Sequence, residues 1–200
     1  MRVLVACEES QAVCKAFRAL GHEAYSCDIE ACSGGHPEWH LLVDAKELLK
    51  MEWDLIIAHP PCTYLSNAGA RHLYPKGILN ESRLALGLVA KEFFMLFYNS
   101  DCPKICIENP IPSKVYGLPP YTQVIQPYQF GHPYTKKTCL WLKGLAPLQP
   151  TKIVKVSSST KVAGNWFNKC GKERQKNRAK TFSGIAEAMA KQWGSACNDA

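Results

Sequence analysis

The sequence predicts an α/β protein built on a mostly parallel β-sheet. Short apolar runs alternate with amphipathic helical segments from residue 1 to about residue 110. An apolar fraction of 46% over 200 residues is enough to bury both faces of a central sheet. We therefore expect one domain spanning 1–200, in which 145–180 is a basic, loop-rich segment.

The periodicity of apolar residues gives the elements of the first half in order. The predicted strands are 3–6, 23–27, 40–43, 54–58 and 104–107, and the predicted helices are 11–20, 45–50 and 81–98. After Pro110 prolines become frequent, and 123–130 with 138–142 are predicted to form an antiparallel strand pair. Little periodicity remains from 147 to 177, and 183–193 is predicted to close the chain as a helix.

The formal net charge of +7 is concentrated in one stretch, because ten lysines and arginines lie between 143 and 180 against the single acid Glu173. A solvated surface that only aids solubility explains such a run, but Trp166 and Phe167 within it favour nucleic acid as a partner. With no secretion signal and no membrane-spanning stretch in the sequence, we expect a soluble cytoplasmic protein.

The ten cysteines are scattered and partly embedded in apolar runs, which predicts reduced core residues rather than disulfides. Four potential zinc ligands fall close together, namely Cys27, Cys32, His36 and His40. Because Cys27 ends one predicted strand and His40 begins another, these side chains need not converge. No metal site is expected.

Polar residues follow the predicted strands at the edge where an α/β sheet binds its ligands. Asp28 follows the second strand, where an acid can accept hydrogen bonds from ribose hydroxyls, whereas Asp44 suits either an adenine amino group or the cap of helix 45–50. Two prolines, Pro60 and Pro61, fix a rigid turn that presents Cys62.

Glu108 follows another apolar strand and would face Cys62 if the two strands are neighbours. A thiol and a carboxyl group that face one cleft indicate covalent catalysis. A thiolate at Cys62 requires an electropositive setting, which Lys136, Lys137 or Arg71 could supply.

Proline-cysteine after the fourth strand and Glu108-Asn109 after the fifth resemble the two central motifs of DNA cytosine-C5 methyltransferases, in the same order. Residues 129–138 are similar to the basic motif of that family, and 183–193 to its closing helix. The resemblance is closest to compact phage-encoded members and spans the chain from Val3 to Trp193.

The resemblance implies a Rossmann-like, S-adenosylmethionine-dependent methyltransferase fold with an antiparallel C-terminal strand pair. It implies methylation of cytosine C5 in DNA, with Cys62 attacking C6 and Lys136 as a further catalytic residue. Glu108 would assist at N3, either protonated, with a raised pKa, or sharing a proton. The cofactor contacts that it implies are Cys7, Glu8, Asp28, Ile29, Asp44, Ala45, His59 and Pro60.

Two departures from the family pattern are visible. Glu8-Glu9-Ser10-Gln11 replaces its glycine-rich loop after the first strand, and only about forty residues stand where a long target-recognition domain is usual. An N4-cytosine or N6-adenine amino-methyltransferase is an alternative, although His59 replaces the required acid or amide and Tyr64 lies two places late for base stacking. A non-catalytic, anti-restriction nucleic-acid binder is another, and RNA or a free nucleotide stays open as the substrate.

Overall fold

A computed structural model describes residues 1–156 and 179–194. Within this part of the chain, seven strands form one sheet, and their bounds are β1 Arg2–Ala6, β2 Glu23–Asp28, β3 His40–Leu42, β4 Leu55–Ala58, β5 Ile105–Pro110, β6 Gln123–Ile125 and β7 Thr138–Lys143. Their order across the sheet is β3-β2-β1-β4-β5-β7-β6.

The first five strands are parallel to their neighbours, whereas β7 lies antiparallel between β5 and β6. This confirms the predicted α/β class, the mostly parallel sheet and the antiparallel C-terminal pair. The chain passes outward from β1 through β2 and β3 and then returns to the opposite side of β1 as β4. The direction of strand order therefore reverses between β1 and β4, and α/β sheets bind ligands at the carboxyl ends of the strands beside such a reversal.

Five α-helices lie in the described residues: α1 Ala12–Ala19, α2 Ala45–Leu48, α3 Asn67–Ala70, α4 Glu81–Tyr98 and α5 Ser183–Gly194. On one face of the sheet the core includes Phe17 of α1 with Met189 and Trp193 of α5. On the other face it includes Phe94 and Phe97 of α4. Because alternate strand residues point to opposite faces, the buried apolar residues Val3–Ala6 of β1 and Leu55–Ala58 of β4 supply both cores.

Two predicted strands have different ends in the structure. The predicted strand 123–130 stops at Ile125, because Pro127 has no N–H for the ladder and the Gln126 N–H instead donates to the side chain of Gln129 at 2.7 Å, in a 3-10 turn. Strand β5 continues to Pro110 rather than ending at residue 107, because β7 pairs with it beyond the end of β4. Glu108 therefore lies within a strand, and not after one.

The structure also describes the cysteines, the potential metal ligands and the apolar length of the helices. Five of the eight cysteines in residues 1–156 are buried, which confirms that most of them belong to the core, and none of the eight is in a disulfide. No group of three or more potential metal ligands converges in the described residues. None of the helices described is long and apolar enough to cross a membrane. Residues 157–178, which hold Trp166, Phe167 and most of the basic run, lie outside the described residues.

Candidate active site

The loop that carries Cys62 is fastened to the end of strand β5. Cys62 is half-buried between β4 and α3. The side-chain amide of Asn109 donates to the Pro60 carbonyl at 2.9 Å. Farther along, the Ser113 backbone N–H donates to the Leu65 carbonyl at 2.7 Å. These bonds, together with the β4–β5 pairing, confirm that the loop and the strand of Glu108 are neighbours.

Arg83, on α4, holds the same loop from the other side. Its Nη2 donates to the backbone carbonyls of Thr63 at 3.2 Å and Gly69 at 3.1 Å. Its guanidinium also lies 4.9 Å from the ring centroid of Tyr64. The sequence offers no signal for this contact, since an arginine in a helix is by default a solvated surface residue.

Glu108 forms a buried ion pair with His59, the residue that directly follows β4. His59 Nδ1 and Glu108 Oε2 are 3.1 Å apart, and each side chain is only 11% exposed. The Thr181 hydroxyl donates to the same Glu108 oxygen at 3.3 Å. The predicted cofactor contact His59 is thus engaged with the predicted catalytic acid.

Each charge of this pair stabilises the other. Burial disfavours the Glu108 carboxylate, but the hydrogen bond and charge of His59, the charge of Lys136 and the Thr181 hydroxyl outweigh it and lower the pKa to about 2. Burial disfavours the His59 imidazolium too, yet the bond from Glu108 and the charges of Glu108 and Glu8 raise its pKa. The expectation of a raised pKa at Glu108 is therefore wrong, because an imidazolium stands beside it.

Glu8 serves the first turn of α1. Its Oε1 accepts from the Val13 N–H at 2.7 Å and its Oε2 from the Cys14 N–H at 3.2 Å, in a position that is only 4% exposed. Gln11, the N-cap residue, provides no side-chain cap, so the buried carboxylate satisfies helix donors that would otherwise be orphaned. Glu8, predicted to bind the cofactor, is therefore a capping residue.

The loop after β1 reaches an unusual backbone conformation without glycine. Cys7 has a φ of 59° and Gln11 a φ of 57°, in the left-handed region that non-glycine residues adopt at a cost. The buried Gln11 side chain donates to the His36 carbonyl at 2.7 Å and the Ser26 hydroxyl at 3.2 Å, and accepts from the His36 N–H at 3.0 Å. These three bonds stabilise Gln11 in a left-handed conformation that glycine adopts at lower cost.

An acidic edge lies at the carboxyl ends of β1, β2 and β3. Burial raises the pKa of Cys7 above its usual range, and the charges of Asp28, Cys27 and Asp44 raise it further. Asp28 is half-buried at the end of β2, where burial raises its pKa. The predicted cluster of Cys7, Asp28 and Asp44 is therefore brought together.

The other predicted cofactor contacts near this edge differ in exposure and in hydrogen bonding. Ile29 is 77% exposed, which leaves an apolar surface beside Asp28. Asp44 is the N-cap of α2, where its Oδ1 accepts from the Lys46 N–H at 3.0 Å, so the capping interpretation is confirmed. Ala45 and Pro60 are buried.

Residues from the C-terminal half cover the ion pair. The Lys136 ammonium lies 6.0 Å from the ring centroid of Phe182. Its positive charge helps to lower the pKa of Glu108 and also acts to lower the pKa of His59. The Gly184 N–H at the start of α5 donates to His132 Nε2 at 3.0 Å. No pattern in the sequence indicates Thr181 or Phe182 at this site, because both precede α5 and are far from Glu108 along the chain.

Three buried polar atoms around this site have no hydrogen-bond partner among the described residues. They are His59 Nε2, directly after β4, Asn109 Oδ1, on the neighbouring strand β5, and Arg83 Nε, on α4. An unsatisfied buried donor or acceptor costs about 1–3 kcal/mol, so such atoms mark places where a ligand or water would be bound favourably.

No protein-family model matches this chain, and no curated protein matches it. The chemistry of the site therefore has to be inferred from its own residues.

Proposed function

We propose that this protein is an S-adenosylmethionine-dependent methyltransferase that acts on carbon 5 of cytosine in DNA. Cys62 is the nucleophile that adds to ring carbon 6, and Glu108 assists at ring nitrogen 3. Lys136 contributes positive charge at the same site. The Rossmann-like interpretation of the sheet is part of this proposal, and the reversal of strand order between β1 and β4 supports it.

The observation that carries the proposal is the bond from the Asn109 amide to the Pro60 carbonyl at 2.9 Å. It fixes the loop of Cys62 against the strand end of Glu108, so a thiol and a carboxylate from distant segments belong to one edge of the sheet. Covalent catalysis needs both groups held around one substrate ring, and a clamp between their two segments serves that need.

The residues at the acidic edge fit S-adenosylmethionine in charge and shape. The cofactor carries a positively charged sulfonium group, and the negative charges that raise the pKa of Cys7 would favour a cation nearby. Asp28 would accept hydrogen bonds from ribose hydroxyls, and the exposed Ile29 would lie against the adenine. Glu8 and Ala45 offer the cofactor no exposed side chain.

The reaction assigns a task to each group of the chain. S-adenosylmethionine supplies an electrophilic methyl group. The Cys62 thiolate forms a bond to carbon 6, and the electron pair of the C5–C6 double bond moves through the ring, so that C5 becomes nucleophilic and N3 takes a proton at the position of Glu108. After methylation the C5 proton leaves, and the Cys62 sulfur departs as the double bond re-forms.

Access to the base imposes a condition on the substrate. Carbon 6 is hidden in a duplex, so the target cytosine has to be flipped out or already single-stranded. Because His59 and Glu108 are each only 11% exposed, the side chains that shield them from solvent have to move aside when a base enters. The basic run is the proposed phosphate contact, and most of it lies outside the described residues.

The proposal is tested by incubating the protein with methyl-labelled S-adenosylmethionine and cytosine-containing DNA. We expect label in 5-methylcytosine for the wild type and a loss of at least about 10³-fold in Cys62→Ala and Cys62→Ser. Cys32→Ala is the matched control for removal of a partly exposed thiol. Label in N4-methylcytosine or N6-methyladenine, or label unchanged by loss of the Cys62 thiol, would refute the assignment.

Trapping of the covalent adduct gives a second readout. DNA in which 5-fluorocytosine replaces cytosine cannot release its C5 substituent as a cation, so the Cys62–carbon 6 bond should survive denaturation. A wild-type adduct that is missing in Cys62→Ser is expected, and an adduct of equal yield in both would contradict a sulfur nucleophile at this position.

A non-catalytic nucleic-acid-binding role is the second candidate, and one observation favours it. The buried Glu8 carboxylate takes up the N-terminal donors of α1, which in dinucleotide folds face the ligand. Titration calorimetry with S-adenosylmethionine separates the two candidates. DNA binding without heat from the cofactor would favour the second candidate.

A further inference from the structure

The buried pair of His59 and Glu108 has more than a structural role to play in the proposed reaction. Two charged side chains that are each 11% exposed are expensive to bury, and a pair of apolar residues would fill the same space at no such cost. Their position beside the Cys62 loop, and the unpartnered His59 Nε2, suggest that the pair is kept for its proton.

In residues 1–156 and 179–194, the charges that act on His59 come from three different segments. Glu108 of β5 accepts its Nδ1 proton, Glu8 in the loop after β1 adds a second negative charge, and Lys136 before β7 opposes both. Burial raises the pKa of Glu8, so the Glu108 carboxylate bonded to Nδ1 is the main negative charge at the ring. This balance favours a resting state in which the imidazolium is charged and Glu108 is a carboxylate.

We propose that His59 is a positioning residue that holds the proton which Glu108 delivers to the substrate ring. This inference rests on the function proposed above and deepens it, because it places the acid in a histidine-glutamate pair and not in a lone protonated carboxyl group. His59 acts through Glu108 and needs no contact with the ring that is methylated.

The proton and electron movements balance without any additional reactant. As the Cys62 sulfur–carbon 6 bond forms, the electron pair that reaches N3 takes a proton from Glu108, and Glu108 takes the Nδ1 proton of His59, which becomes neutral. When the C5 proton has left and the sulfur departs, N3 returns its proton through Glu108 to His59. The pair therefore ends each cycle as it began.

The pH dependence of His59→Gln distinguishes this role from a structural one. Without the imidazolium, burial dominates at Glu108, so the reactive state needs a proton on the carboxyl group itself. We expect kcat of the variant divided by kcat of the wild type to fall about tenfold per pH unit from pH 6 towards the His59 pKa. The ratio cancels the titration of Cys62, and KM for S-adenosylmethionine should stay within about twofold.

The control is His36→Gln, which removes the other histidine-glutamate pair of the described residues. His36 Nδ1 and Glu38 Oε1 are 3.0 Å apart, but they are 39% and 58% exposed. Its kcat ratio to the wild type should be flat across the same pH range. A flat ratio for His59→Gln as well would overturn the proposed role of His59 while leaving the methyltransferase proposal intact.

A second measurement needs no activity. In ¹⁵N NMR spectra of the wild type, His59 should stay an imidazolium above pH 6.5, and in Glu108→Gln it should titrate at least about one unit lower. A neutral His59 at pH 6.5 in the wild type would overturn the inference by itself. A wild type that shows the imidazolium but forms no 5-methylcytosine would overturn the proposed function and, with it, this step.

Discussion

Breaking the His59–Glu108 pair by replacing one partner should destabilise the protein far more than breaking the His36–Glu38 pair. The pKa of Glu108 is lowered from 4.5 to about 2, and at about 1.4 kcal/mol per unit this corresponds to about 3 kcal/mol of stabilisation at neutral pH. The pKa of His59 reports the same attraction, so its contribution is not added. The exposed pair should contribute far less, because solvent screens its charges.

The sign of the pH dependence follows from the two shifts. The Glu108 contribution is complete above about pH 4.5 and disappears as the pH falls towards 2. The contribution of His59, whose pKa is raised, is complete below 6.5 and disappears as the pH rises through its folded-state pKa. The free energy of unfolding should therefore include its full contribution from the pair between about pH 4.5 and 6.5.

Urea unfolding of the single and double variants of each pair, at pH 5.5, gives the two coupling free energies. We expect a coupling free energy of about 2–3 kcal/mol between His59→Gln and Glu108→Gln, and a much smaller one between His36→Gln and Glu38→Gln. Coupling below about 1 kcal/mol in the buried pair, or a stability profile whose acidic limb is unchanged in Glu108→Gln, would refute the electrostatic reasoning.

Three further predictions concern the supports of the site. Arg83→Lys should keep the charge but lose the paired bonds to the Cys62 loop, lowering urea stability by about 1–2 kcal/mol and methylation by more than tenfold; equal values in variant and wild type would contradict the clamp. Thr181→Val should raise the Glu108 pKa measured by ¹³C NMR, whereas Thr181→Ser should leave it unchanged. Gln11→Gly should relieve the backbone strain but lose three hydrogen bonds, for a net loss of about 1–3 kcal/mol in urea, and a stabilised variant would contradict this ordering.

The sequence predicts the fold class because its strands are short, apolar and separated by helical periodicity. β4 and, after Arg2, β1 are buried on both faces and therefore contain unbroken apolar runs, which are easy to recognise in the sequence. The end of β5 is harder to predict, because its last residues pair with β7 and not with β4. That pairing depends on a distant segment, and no local pattern in residues 108–110 announces it.

Within the candidate site, the sequence indicates which residues to consider, but it does not indicate their protonation states or their hydrogen-bond partners. Motif order singles out Cys62 and Glu108 as candidates, and the apolar pattern places Asp28 at a strand end, where the structure has it. The charge on Glu108 depends on His59 and Lys136, and the helix cap made by Glu8 depends on the left-handed Gln11. Contacts of this kind form between side chains whose directions follow only from the assembled backbone.

The position of α5 in the sequence determines when the site can be completed during synthesis of the chain. Helix α5 packs against α1 across the same core, and the Trp193 indole N–H donates to the Ala146 carbonyl at 3.0 Å. Thr181, which precedes this helix, reaches Glu108 across 73 residues of chain. A nascent chain still lacking α5 would expose an apolar face of its sheet and hold Glu108 without its hydroxyl donor. Completion of the core and completion of the carboxylate's surroundings are thus one event, which requires that α5 has left the ribosome.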